Sequence, residues 1–177
     1  MKIFSTFIIF SSLLLAQLDN SATITKTGTT AAQFLKIGVD ARASAMGNAF
    51  TAMKGDLSSM YWNPAGLTSI GRMETMFMNS SWLAGIQFTH AAFAINLNAA
   101  GVIGFSLTSL SVPEDMVRTV EKPNGTGEYF DAGDLAMNFT YARKLTNQFS
   151  IGGNIKYIRQ NIWHASASSV AADLGAL

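Results

Sequence analysis

Beyond Gly71 the apolar residues of this chain fall on every second position. In residues 102–110, Ile103, Phe105 and Leu107 alternate with Gly104, Ser106 and Thr108. In residues 134–141, Leu135, Met137, Phe139 and Tyr141 alternate with Asp134, Ala136, Asn138 and Thr140. In residues 150–157, Ile151, Gly153, Ile155 and Tyr157 alternate with Ser150, Gly152, Asn154 and Lys156. Successive side chains of a strand point to opposite faces, so each stretch predicts a strand with one apolar face and one polar or small-residue face. Membrane barrels are built from alternating segments of ~10 residues, apolar toward lipid and polar toward the lumen. A soluble β-sandwich gives the same alternation with its apolar face turned inward.

The connections differ in length. Residues 98–101 (Asn-Ala-Ala-Gly) and 143–148 (Arg-Lys-Leu-Thr-Asn-Gln) predict short turns. Residues 112–133 predict a long loop that carries two of the three prolines. Short turns of such barrels face the periplasm and long loops face outward, which sorts these connections to opposite sides of the membrane. Residues 75–113 hold no Asp, Glu, Lys or Arg, which invites a helical span instead. Asn79, Asn96 and Asn98 interrupt that run, and a helical span needs ~20 predominantly apolar residues. Strands are the better reading.

Residues 23–71 show no clean period of two and are expected to form a small, partly helical plug. Residues 30–37 predict a short helix with Phe34, Leu35 and Ile37 as its apolar side. Residues 40–53 are rich in Ala and suit close packing. Asp56 is placed to cap a turn through Trp62. That turn must end near Asn63, because the residue before a proline is pushed out of the helical region. Asn63-Pro64 then reads as a fresh cap with Pro at the first position, Ala65 leaves room for close approach to a wall, and Gly66 supplies the exit angle. Ahead of the plug, residues 1–22 read as a secretion signal. Lys2 precedes an apolar run too short to span a ~30 Å hydrocarbon core, with Ala16 and Ala22 as candidate cleavage points.

Composition sharpens this picture. Charged residues are 13% of the chain, about half the usual ~25% of soluble domains, and net charge is +1. No overall field of that size draws nucleic acid or anionic lipid. With no Cys, disulfide staples and thiolate metal or redox sites are excluded.

Two blocks of sequence carry a resemblance. Met46-Gly47-Asn48-Ala49-Phe50-Thr51-Ala52, then Asp56, then Tyr61-Trp62-Asn63-Pro64-Ala65-Gly66-Leu67 resembles the N-terminal signature of the FadL-like superfamily. The preceding Phe34-Leu35-Lys36-Ile37-Gly38-Val39-Asp40-Ala41-Arg42-Ala43 narrows the likeness to the PorV/PorQ family. A second block agrees: Gly125-Thr126-Gly127-Glu128-Tyr129-Phe130, Tyr141-Ala142-Arg143-Lys144-Leu145-Thr146, and Phe149-Ser150-Ile151-Gly152-Gly153. The resemblance implies an all-β outer-membrane protein, an antiparallel transmembrane barrel of about fourteen strands with an N-terminal plug. It implies a bacterial outer-membrane location, no catalysis and no cofactor. The expected work is type IX secretion, with secreted cargo proteins and other secretion components as partners beside the membrane lipid. A FadL-like channel for hydrophobic small molecules is the alternative. Residues 72–177 hold only five or six strands at ~10 residues each, fewer than the eight of the smallest bacterial barrels. Ala176-Leu177 also does not resemble the end of a final membrane strand, so the chain reads as the N-terminal part of a longer protein.

Two sets of residues follow as candidate sites. Gly47, Asp56, Trp62, Asn63, Pro64, Ala65 and Gly66 form the plug and its turn. Glu114, Asp115, Arg118, Gly125, Gly127, Tyr129 and Phe130 lie on the long external loop, facing partners. Nothing else points to chemistry. His90 and His164 stand on separate segments, and zinc needs three or four ligands. The early methionines, Met46, Met53, Met60, Met73, Met76 and Met78, suit gap-filling in a plug. Trp82 is expected as an interface anchor at a strand end, and Trp62 as plug packing.

Overall fold

The computed structural model describes residues 31–177; the expected signal at 1–22 lies outside them. Six strands follow one another as hairpins: β1 (Met73–Ser81), β2 (Gln87–Asn96), β3 (Val102–Met116), β4 (Tyr129–Lys144), β5 (Ser150–Ile162) and β6 (Ala165–Ala176). They form one antiparallel sheet in sequence order. It is open, with β1 and β6 as edges. Six strands are part of a barrel wall, since closed bacterial barrels begin at eight. No helix among the described residues is long and apolar enough to cross a membrane, and strands can cross one without any.

The two faces of the sheet decide between the readings that alternation left open. Thr75, Phe93, Phe105, Phe139, Ile155 and Ala172 pair directly across all six strands on one face. Phe105 is 48% exposed, Phe139 52% and Ile155 63%. The opposite row, Glu74, Ala94, Gly104, Thr140, Asn154 and Asp173, includes Thr140 and Asn154, which are almost fully buried. A water-soluble sheet buries its aromatics and wets its threonines. This one does the reverse, as lipid demands.

What buries the inner face is the N-terminal segment. From Gln33 it runs through a 3₁₀ turn (Gln33–Lys36), α1 (Ala41–Ala45), α2 (Ser59–Trp62) and a second 3₁₀ turn (Pro64–Ser69). Each element is a single turn or little more, so none is stable alone and packing must hold it. Leu57, Met60, Leu67 and Ile70 pack on Ala92, Ala94, Val102 and Ala142 of β2, β3 and β4. Phe34 packs on Ala136 and Ile158. The facing strand residues are small, which lets the segment approach closely. Met60 rests its terminal methyl where a side chain at Gly104 would begin, and Met76 packs on the same cluster. Met78 Sδ accepts from the Asp40 amide at 3.2 Å. Met73 instead points outward, so the early methionines divide between the two faces.

Several expectations need correction. The helix expected at 30–37 is only the 3₁₀ turn Gln33–Lys36. The long loop is shorter than 112–133, because the β3–β4 ladder continues to Met116 and Tyr129. Pro113 misled the reading: proline is tolerated in a sheet at a bulge, and the register shifts here between Val112 and Asp115. Trp82 does not sit on the outer wall. It lines a cavity of about 220 Å³ with Ile37, Gly38 and Asp40 of the segment, beside Phe88 of the inner face. Gly66 is needed for space and not for an exit angle: it is not among the positive-φ residues. A Cβ there would stand 2.6 Å from the Met53 carbonyl oxygen and 2.9 Å from the Ser59 side chain.

Gly66→Ala should therefore loosen the segment by about 1–3 kcal/mol through overpacking while sparing the strand ladder. Limited proteolysis should cut near residues 50–70 faster in the variant, with the strand fragments as resistant as before. Unchanged cleavage would show that the contact relaxes freely.

Candidate functional site

The candidate site is the seam between the N-terminal segment and the inner faces of β5 and β6. Asn63 is extended (φ −156°, ψ 104°) and Pro64 opens the following turn. The Ala65 amide donates to Asn63 Oδ1 at 3.1 Å, closing the cap. Asn63 Nδ2 donates to the Thr51 carbonyl and to the Ala176 carbonyl of β6, each at 3.0 Å. One amide thus ties together a loop of the segment, its own turn and the sheet.

The wall makes room for this turn with two glycines. A Cβ at Gly152 would lie 2.5 Å from the Pro64 carbonyl carbon and 2.6 Å from the Ala65 nitrogen. A Cβ at Gly175 would collide with Asn63 Oδ1. Beside them Thr68 Oγ1 and Ser150 Oγ share a hydrogen bond of 3.0 Å. Ala65 itself is fully buried in this close approach, and the glycines opposite add to the room.

Further along the wall the contacts turn polar. Asn154 Nδ2 donates to the Met60 carbonyl at 3.0 Å and to Asp173 Oδ2 at 3.1 Å. Thr140 Oγ1 donates to Asn154 Oδ1 at 2.7 Å. Asn138 Nδ2 reaches Thr140 at 3.2 Å and Ser106 at 3.4 Å, while its Oδ1 is buried without a partner. Lys156 Nζ pairs with Asp173 at 2.5 Å. Tyr61 Oη donates to the carbonyls of Leu35 and Ile37, the second at 2.9 Å. Burial, with the Asp173 carboxylate adding to it, pushes the Tyr61 phenol up to about 12, so it stays a neutral donor. Trp62 Nε1 donates to the Val39 carbonyl at 3.2 Å, and its ring meets Tyr61 edge-on. Trp62 therefore packs within the segment.

A second knot holds the segment to itself. Asp56 Oδ1 accepts from the Ser58 amide at 2.9 Å and from Ser58 Oγ at 2.5 Å. Arg42 Nη1 meets Asp56 Oδ2 at 3.3 Å and lies over the Phe50 ring. Burial pushes the Asp56 carboxyl upward, but the two Ser58 bonds and the Arg42 charge outweigh it, and the net shift is downward from 3.8. Gly47 (φ 64°) and Asn48 (φ 66°) reverse the chain after α1; a glycine suits this left-handed position best.

The loop residues divide between strand ends and loop. Glu114, Asp115, Tyr129 and Phe130 lie in the β3 and β4 strands, whereas Arg118, Gly125 and Gly127 belong to the loop proper. That loop is folded: the Val117 amide donates to the Glu128 carbonyl at 2.9 Å and the Thr126 amide to the Val117 carbonyl at 2.8 Å. Gly125 (φ 113°) and Gly127 (φ 88°) take backbone angles open to glycine, and Met116 packs where a side chain at Gly125 would stand. Of the histidines, His90 Nδ1 hydrogen-bonds Thr108 Oγ1 at 2.8 Å and His164 stacks on Trp163. No group of three or more His, Asp or Glu among the described residues is placed to hold a metal.

The seam's wall partners, Gly152, Gly175, Asn154, Lys156 and Asp173, escaped the sequence reading. Alternation marks them as inward but says nothing of what covers them.

The family model for "Type IX secretion system protein PorV" matches residues 20–176, nearly the whole chain. The chain belongs to the PorV family. No curated protein matches it. The PorV family is an outer-membrane component of type IX secretion, which agrees with the outward apolar face.

Asn63→Leu should remove the cap and both carbonyl contacts, costing about 2 kcal/mol locally. Hydrogen exchange at the Ala65 amide should rise at least about tenfold, with the β3–β4 ladder unchanged. Equal exchange would deny the turn its tethering role.

For Asp56 the linkage sign follows from its lowered pKa. Its stabilisation is complete above 3.8 and is lost as pH falls through the folded-state value. Exchange at the Ser58 and Ser59 amides should accelerate on acidification beyond the intrinsic pH dependence. Asp56→Asn should abolish that excess, and an excess retained in the variant would point to another group.

Proposed function

We propose that this PorV-family chain forms a non-enzymatic outer-membrane wall with an N-terminal plug, and that it handles secreted cargo in type IX secretion. The single observation that carries this reading is the family match across residues 20–176. The inverted sheet supports it: exposed aromatics fit lipid, and a polar inner face covered by a tethered segment fits a closed lumen. On this reading residues 23–71 are the plug and 72–177 the first strands of the barrel. The turns at 97–101 and 145–149, opposite the long loop, face the periplasm. The folded loop around Arg118, Gly125 and Gly127 then faces outward, where cargo and other secretion components would meet it.

A channel for hydrophobic small molecules would need an apolar path along the inner face. Ser106, Thr108, Asn138, Thr140 and Asn154 make that face polar here, so secretion is the better supported role.

Deleting the gene should leave signal-bearing cargo in the periplasm and strip it from the cell surface, as read by surface proteomics. Export of every such cargo at the parental level would overturn the secretion role. Labelled fatty-acid uptake in the same strains separates the channel reading: equal uptake counts against it, and a defect confined to uptake counts for it.

A further inference from the structure

The outer face of the wall is not uniform. On β4 the outward column Met137, Phe139, Tyr141 ends in a cation, Arg143. Tyr141 leans away from β5: its Oη donates to the Ala100 carbonyl at 2.9 Å, and its ring covers the backbone of Gly101. Opposite Tyr141 stands Gly153, which has no side chain to fill the space it leaves. The result is an apolar groove of about 590 Å³ between Tyr141 and Leu174, walled by Phe139, Ile151, Ile155 and Ala172. Ile151 to Ile155 gives it a length of roughly 13 Å at the rise of a strand.

The foot of the groove is cationic. Ile151, on its wall, pairs directly with Arg143 on the outer face; Lys144, whose partner Ser150 faces inward, follows it at the strand end. Both cations line a second, polar hollow of about 620 Å³ shared with Asn98, Ala99, Thr146 and Asn147 of the two short turns. Neither Arg143 nor Lys144 is in an ion pair among the described residues. An apolar trough in a lipid-facing wall, ending at the outward cation Arg143 with Lys144 beside it in the hollow at the strand end, has the charge pattern of an anionic amphiphile.

We propose that this groove holds one anionic diacyl phospholipid, with an acyl chain over Gly153 and the phosphate against Arg143, where Lys144 reaches the same hollow from the strand end. The inference rests on the membrane reading above, which puts the end opposite the long 117–128 loop, and the cations with it, at the periplasmic leaflet. A guanidinium pairs with phosphate bidentately and an ammonium adds a point charge. Two cations favour a headgroup of net negative charge over a zwitterionic one, whose own ammonium they repel.

The test uses the full-length protein in nanodiscs of phosphatidylethanolamine with a minority of phosphatidylglycerol, and native mass spectrometry to count retained lipids. Phosphatidylglycerol should be retained over phosphatidylethanolamine by about tenfold relative to its share of the bilayer. Arg143→Gln with Lys144→Gln should abolish that preference. Gly153→Leu should fill the groove and lower retention while leaving both cations. Heat-modifiable gel migration checks that each variant is assembled, and the double glutamine variant alone suffices if Gly153→Leu does not assemble. Equal retention of the two lipids by the parent protein, or a preference that survives the glutamines, overturns the site. So does displacement by inorganic phosphate or by lipid A as readily as by added phosphatidylglycerol. Insertion without selectivity overturns this site alone, whereas a protein that fails to insert overturns the membrane reading and the site with it.

Discussion

A strand inside hydrocarbon has no partner for its backbone N–H and C=O groups except a neighbouring strand. Most of this structure answers to that constraint. The six strands pair in sequence order, each with the next, and leave only two edges. Pairing fixes which side chains share a face, so apolar residues gather outward and polar ones gather inward. The inner polar groups then need partners of their own, and they find them in one another across the wall and in the N-terminal segment.

The segment meets the wall in two chemically different ways. Toward β2, β3 and β4 it uses apolar contacts of Leu57, Met60, Leu67 and Ile70 on alanines and a valine. Such contacts are non-directional and tolerate small shifts. Toward β5 and β6 it uses directed bonds: Asn63 to Ala176, Asn154 to Met60, Thr68 with Ser150. Directed bonds hold one geometry and cost most when half broken, because the stranded partner stays desolvated. The first set positions the segment and the second fixes its register on the wall.

Much of the wall was legible in the sequence because side-chain period and face are the same fact in a strand. Ile103, Phe105 and Leu107 announced by alternation alone that they share one face. The Asn63-Pro64 cap was legible too, since its chemistry is local: one side chain, one ring, one amide. What stayed hidden depends on pairs of residues far apart in the chain. Gly152 looks like any strand glycine until Pro64 is placed against it. Pro113 looks like a loop residue until the bulge beside it is seen. Trp82 continues the strand parity inward, but a tryptophan at a strand end fits an interface equally well, and only the neighbouring Gly38 and Asp40 decide the matter.

The Asn63–Ala176 hydrogen bond joins residues 113 positions apart. The segment is among the first parts of the chain to leave the ribosome, yet this bond must wait for β6. Contacts of such long range come late, because loop-closure entropy must be met before they form. Four of the five hairpins are closed by turns of a few residues and carry no such delay. The seam is therefore a clock as well as a fastening: the amide of Asn63 finds its last acceptor only once the sixth strand has joined the sheet.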